Sequence, residues 1–155
     1  MYILNRLPSK VYMMMLLLIM SCQTYAVQPD DIIGIWMVPE RDAKIEISKN
    51  NQNKYSGKII WLEVPNDDEG KPRKDIYNKN EELKKRPILG IEVVSNFSFN
   101  ESKKQWDGGE VYNSRDGKVY AGYMRINNDG TLMLRGHVKG FKFLGKTSTW
   151  TRSTK

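Results

Sequence analysis

Asp116-Gly117-Lys118-Val119-Tyr120-Ala121-Gly122-Tyr123-Met124-Arg125-Ile126-Asn127-Asn128-Asp129-Gly130-Thr131-Leu132-Met133-Leu134-Arg135-Gly136-His137-Val138 is the stretch on which the fold turns. Asp116-Gly117 and Asn128-Asp129-Gly130 put Asp, Asn and Gly where tight hairpins need positive φ. Lys118 to Asn127 and Thr131 to Val138 then have the length of strands. In the second of these, Thr131, Met133, Arg135 and His137 fall on one face, and Leu132, Leu134, Gly136 and Val138 on the other. Two antiparallel strands joined by a short turn are the expected outcome.

The same grammar extends outward from that hairpin. Gly34 to Val38 reads as a first strand, stopped by Pro39. Ala43 to Ser48 alternates, with Ala43, Ile45 and Ile47 facing inward, and Asn50 to Asn53 is a polar turn. Tyr55 to Leu62 follows as a third strand, on which Tyr55, Gly57, Ile59 and Trp61 share a face. Pro65 to Asn80 is charged and holds two prolines, which bars it from a central strand. Asn80 to Lys85 predicts a short helical turn with Asn80 as its cap, ended by Pro87. Strands resume at Gly90 to Phe99 and Gly109 to Asn113, and the last expected one is Thr147 to Arg152. About eight short antiparallel strands in one domain, residues 31–155, make an all-β barrel or sandwich.

The residues before that domain read as an export segment. Arg6 and Lys10 form a basic start, and Val11 to Met20 is an apolar run too short to span a bilayer. Thr24-Tyr25-Ala26 satisfies the small-x-small cleavage rule, so residues 1–26 are expected to be a signal peptide cut after Ala26. Ile19-Met20-Ser21-Cys22 supports the alternative of a lipoprotein anchored through Cys22. Either way the expected location is the periplasm or the exterior.

Composition narrows the chemistry. The 155 residues contain one cysteine and one histidine, too few for a zinc site of the usual Cys and His ligands or for an internal disulfide. Cleavage after Ala26 would leave no cysteine, and so no thiol catalysis. Asn66-Asp67-Asp68-Glu69-Gly70 is rich in oxygen but lacks the spacing of a calcium loop, and reads as a solvated turn. No metal and no cofactor are expected. His137 is the one general-base candidate of the usual kind, and without partners it reads as a surface residue, so no catalytic residue is assigned and the protein is expected not to be an enzyme. The formal charge of +7 is unevenly placed. Residues 27–129 carry 17 bases against 18 acids, whereas residues 130–155 carry six bases and no acid. Lys139, Lys142 and Lys146, interleaved with Phe141, Phe143 and Leu144, read as a basic loop suited to an anionic membrane surface or an acidic ligand. Nucleic acid is not an expected partner of an exported protein.

Gly34-Ile35-Trp36 opens the first strand and Trp150-Thr151-Arg152 closes the last. First and last strands are neighbours in a closed barrel, which would bring Arg152 over the Trp36 ring in a cation–π contact. The pairing resembles the Gly-x-Trp and late Arg signature of lipocalins and other calycins. A longer series covers almost the whole chain after the export segment. It runs Gly57-Lys58-Ile59-Ile60-Trp61-Leu62, Pro65, Gly70-Lys71-Pro72, Asp75, Asn78 and Arg86-Pro87-Ile88-Leu89-Gly90. It continues with Trp106, Gly108-Gly109, Val111-Tyr112-Asn113, Asp116-Gly117-Lys118-Val119-Tyr120, Arg135-Gly136 and Leu144-Gly145 through Arg152. This succession resembles the bacterial family catalogued as domain of unknown function 2147 (DUF2147). The resemblance implies a small exported protein and brings no established activity. Asn50 to Ser56 lacks the cysteine pair of many members, so the barrel is expected to rest on packing alone, and Tyr112-Asn113-Ser114 lacks their usual proline.

The expected architecture is thus an antiparallel lipocalin-like barrel of about eight strands. Its expected role is non-enzymatic binding of a small apolar or acidic amphipathic ligand, with Trp61, Tyr112, Tyr120, Arg135, His137 and Trp150 as the candidate lining. The alternative is a cell-envelope module that docks through the basic loop to membrane or to a protein partner.

Overall fold

A computed structural model describes residues 26–154. The expected signal peptide and Cys22 fall outside the described residues, apart from Ala26 itself. Eight strands follow one another: β1 (Gly34–Met37), β2 (Ala43–Lys49), β3 (Tyr55–Leu62), β4 (Glu92–Asn100), β5 (Gln105–Asn113), β6 (Lys118–Ile126), β7 (Leu132–Val138) and β8 (Phe141–Ser153). Each pairs antiparallel with the next, and β1 pairs with β8, so the sheet is a closed barrel without an edge. The β1–β8 seam sets Trp36 directly opposite Arg152.

One half of the barrel is filled with large side chains. Trp36, Trp106, Phe97, Tyr55, Met124 and Leu132 are buried there, with Tyr55 and Trp106 meeting edge to face at 6.3 Å. Phe97 fits because Gly109 and Gly122 stand opposite each other on β5 and β6. A Cβ on Gly109 would enter the Phe97 ring, and one on Gly122 would lie 2.8 Å from Val111 Cγ2. A 3-10 turn, Pro29–Ile32, plugs this end. The indole nitrogens are satisfied by the plug: Trp36 donates to Ile32 O at 2.8 Å and Trp106 to Pro29 O at 3.0 Å. Pro29 and Asp30, which precede the expected start at Asp31, therefore belong to the barrel.

Register shifts in the β2–β3, β3–β4, β5–β6 and β7–β8 pairings bend the sheet into closure. The shift between β2 and β3 relocates a candidate residue. Lys44 pairs with Trp61 while Ile45 pairs with Ile59, which leaves Ile60 as the extra residue. The bulge turns Trp61 to the outer face beside Lys44, whose ammonium lies 5.6 Å from the ring centroid. Trp61 is 38% exposed. The expected single face of Tyr55, Gly57, Ile59 and Trp61 is thus corrected: the first three are buried, and Trp61 is not.

The last strand also departs from expectation. β8 begins at Phe141, six residues before Thr147, because Lys139-Gly140 makes a tight turn with Gly140 at φ 87°. The expected basic loop is therefore the end of the β7–β8 hairpin, with Lys142 and Lys146 on a strand. The long β3–β4 connection holds the expected turn as a 3-10 helix, Leu83–Lys85, with Asn80 Oδ1 accepting from the amide of Glu82 at 2.9 Å.

Candidate functional site: a cavity at the open end of the barrel

Beyond the aromatic layer the inward residues become aliphatic or small. Ala43, Ile45, Ile59, Val94, Val111, Leu134, Gly136 and Ser148 replace the indoles and phenyl rings of the closed end. They leave a cavity of about 740 Å³. That size falls in the range of small-molecule sites. Trp150, 5% exposed, forms part of the wall and satisfies its indole nitrogen by donating to Ser148 Oγ at 2.9 Å.

The mouth is polar. Glu40 and Asp42 reach it from the β1–β2 loop, Arg115 and Asp116 from the β5–β6 turn, and Lys146 from β8. Arg115 Nη2 pairs with Asp42 Oδ2 at 2.7 Å, and its Nη1 lies 3.7 Å from Glu40 Oε1. The Tyr120 hydroxyl donates to Asp116 Oδ2 at 2.7 Å. That bond, more than burial, raises the tyrosine above its ordinary titration range.

The candidate lining residues divide. Trp150 and Tyr120 border the cavity. Tyr112 borders it only at the rim, because it follows the inward Val111 and sends its hydroxyl to Asp75 Oδ1 at 2.5 Å. Trp61 lies on the outside, as described. Arg135 is also outward, since its neighbours Leu134 and Gly136 face the cavity. Its guanidinium donates to Thr147 Oγ1 at 3.1 Å and to Lys142 O at 3.3 Å. His137 shares that outer face, yet it is buried rather than exposed, flanked by Ala121 and Gly145. Its Nδ1 lies 3.1 Å from Val138 O, and since a carbonyl only accepts, the ring donates there. Of the three candidate lysines Lys146 alone borders the cavity. Lys139 stands at the turn, while Lys142 belongs to the outer part of the hairpin with exposed Phe141, Phe143 and Leu144.

Trp36 and Arg152 lie at the opposite, plugged end. The guanidinium carbon is 4.3 Å from the Trp36 ring centroid, and the same group donates to Ile33 O at 3.0 Å and to Asp31 O. This contact closes the barrel and does not touch the cavity.

Asp75, Asn78 and Arg86 were legible in the motif series but not as a unit. Asp75 is fully buried in the β3–β4 connection. Its Oδ2 accepts from Arg86 Nη2 at 2.9 Å, Arg86 Nε at 3.1 Å and Asn78 Nδ2 at 2.9 Å, and its Oδ1 from Tyr112. Burial first, and the Asp75 contact second, raise the Tyr112 hydroxyl above its ordinary range. The hub pins the long connection to β5. A Cβ on Gly117 would strike Tyr77 O, so the connection also rests on the β5–β6 turn. In the acidic segment, Asp67 Oδ1 is engaged by the amides of Glu69 and Lys71 at 3.0 and 2.9 Å, which makes a self-bonded turn.

An eight-stranded antiparallel barrel closed first strand to last, with Trp36 beneath Arg152 and a cup at the far end, is lipocalin-like in architecture. Within that class the chain belongs to the family described as "Uncharacterized protein conserved in bacteria (DUF2147)", whose model matches residues 34–152. Among solved structures it is similar to protein HP1028 from the human pathogen Helicobacter pylori, described as belonging to the lipocalin family. The two share 26% sequence identity with a TM-score of 0.66, over 80% of this chain and 84% of that chain. No curated protein matches the chain.

Proposed function

We propose that this protein is an exported, non-enzymatic binder that holds a small apolar or amphipathic molecule in its barrel. The observation that carries the reading is the cavity of about 740 Å³ walled by Ile45, Ile59, Val94, Val111, Leu134 and Trp150. Burying a ligand chain against such a wall is favourable by about 25 cal/mol for each Å² removed from water. Among the described residues, His137 borders neither the cavity nor a carboxylate. Work after export, in the periplasm or outside the cell, accords with the leader-like sequence, cleaved after Ala26 or leaving the chain anchored through Cys22. Native mass spectrometry of gently purified protein, followed by titration of the delipidated protein with a fluorescent fatty-acid probe, tests the reading. One ligand per chain is the expected result, and a barrel that neither retains nor takes up any apolar molecule overturns it. Intact mass of the exported protein separates cleavage after Ala26 from lipidation at Cys22.

A second reading has its own observation. The β7–β8 hairpin exposes Val138, Phe141, Phe143 and Leu144 beside Lys139 and Lys142, at the same end as the mouth. Apolar side chains among bases suit an anionic bilayer surface, each base contributing about 1 kcal/mol there. Vesicle sedimentation with and without anionic lipid tests it, and K139E/K142E protein that sediments like the wild type overturns it.

A further inference from the structure

Two bases border the cavity, and their situations differ. Arg115 is already matched by carboxylates, Asp42 at 2.7 Å and Glu40 at 3.7 Å. Asp116, the remaining acid of the mouth, accepts the Tyr120 hydroxyl at 2.7 Å and the Lys118 amide at 3.0 Å. Lys146 has no such match: among the described residues no carboxylate is within ion-pair reach of it. Strand alternation sets Lys146 on the same face of β8 as Ser148 and Trp150, and opposite Gly136 of β7, at the top of the apolar wall. An ammonium at the edge of an apolar cup attracts an anion more strongly than one surrounded by water.

Resting on the cup reading above, we infer that Lys146 is the head-group subsite of the cavity. The ligand is a single-chain amphiphile with an anionic head, carboxylate or phosphate. The orientation follows from the polarity of the two ends. The head stays at the mouth, where charge is available, and the chain runs inward along Ile45, Ile59 and Leu134. Deeper in, the wall is aliphatic side chains and the Trp150 indole, and every charged residue bordering the cavity lies at the mouth. Neither Arg135, engaged on the outer face, nor Lys142, absent from the cavity wall, can stand in for Lys146.

Calorimetric titration of the delipidated protein with dodecanoate, dodecyl phosphate and dodecanol, at neutral pH and low salt, tests the inference. The wild type is expected to bind at least one of the two anions about tenfold more tightly than the alcohol, the worth of one partly exposed charge-assisted hydrogen bond. The arm with the larger preference distinguishes carboxylate from phosphate. K146Q should lower anion binding to the level of the alcohol and leave the alcohol unchanged. K146R should keep the preference, and K142Q should behave as the wild type. In the wild type alone the preference should shrink as salt is raised. Equal binding of anions and alcohol, a preference that salt does not change, or a preference that survives K146Q overturns the head-group assignment and leaves the cup standing. Failure of all three probes to bind overturns both.

Discussion

Arg115 on the β5–β6 turn and Asp42 on the β1–β2 loop meet at 2.7 Å, and both border the cavity. In a closed barrel of eight strands in sequential order, β1–β2 and β5–β6 lie on opposite sides. The ion pair therefore spans the mouth. Its side chains are 57% and 42% exposed, so its contribution to stability is at most about 1 kcal/mol. If the cavity takes a ligand as proposed, the consequence of the pair is steric and kinetic, because an entering molecule would have to pass beside it or part it.

R115A should accordingly speed both uptake and release of a fluorescent fatty-acid probe, by about threefold or more, with a urea midpoint close to that of the wild type. Stopped-flow mixing measures the two rates. Unchanged rates would mean that ligand enters without passing the strap.

Arg152 is a different case, because its guanidinium meets a ring face and two carbonyls at once. R152A should lose about 1–3 kcal/mol of unfolding free energy, the sum of a cation–π contact and hydrogen bonds from a charged group. R152K should recover only part, since a point charge cannot reproduce the planar fork. Urea denaturation followed by tryptophan fluorescence reads both, and full recovery by lysine would show that charge alone suffices.

Removing the carboxylate of Asp75 leaves Arg86, Asn78 and the Tyr112 hydroxyl without their common acceptor. D75A should cost about 3 kcal/mol, as expected for breaking a buried ion pair. The loss should be local as well as global. Limited proteolysis should cut between residues 63 and 91 much faster than in the wild type, while an uncut connection would deny the hub its anchoring role.

At the plugged end, Asp30 accepts the Tyr55 hydroxyl at 2.7 Å and the Lys49 ammonium at 2.9 Å. The tyrosine bond first, and the lysine second, hold its carboxyl below the ordinary aspartate value of 3.8. The unfolded chain thus takes up this proton at a higher pH than the folded one. The contribution is complete above the unfolded value and disappears as pH falls through the folded one. The wild type should therefore lose more stability than D30N between about pH 6 and about pH 3. Matching acid losses in urea titrations of the two proteins would remove Asp30 from the account.

Much of the barrel was legible because its signals are local. The turns at Asp116-Gly117 and Asn128-Asp129-Gly130 need particular backbone angles, and the inward Ala43, Ile45 and Ile47 follow from a period of two. Trp36 and Arg152 could be paired because they occupy the two ends of the chain's strand series, and closure makes those ends adjacent. Trp61 could not be placed, since the bulge at Ile60 shifts the register by one and reverses every later side chain on β3. The extent of β8 was hidden for a related reason. Lys139-Gly140 reads as the start of a loop, and only pairing with β7 extends the strand back to Phe141.

The sequence by itself determined the all-β class, the turns at Asp116-Gly117 and Asn128-Asp129-Gly130, the candidate closing pair Trp36 and Arg152, and the family, all of which depend on neighbours along the chain or on its two ends. The tertiary structure alone decided that the barrel is half filled and half hollow. It also turned Lys146 toward the cup while Arg135, Trp61 and His137 turned away, and it drew Arg115 to Asp42 across the mouth. These features depend on register, and on side chains from distant strands sharing one volume. The basic end of the chain thereby became one lysine at the mouth of the cup and an outer hairpin.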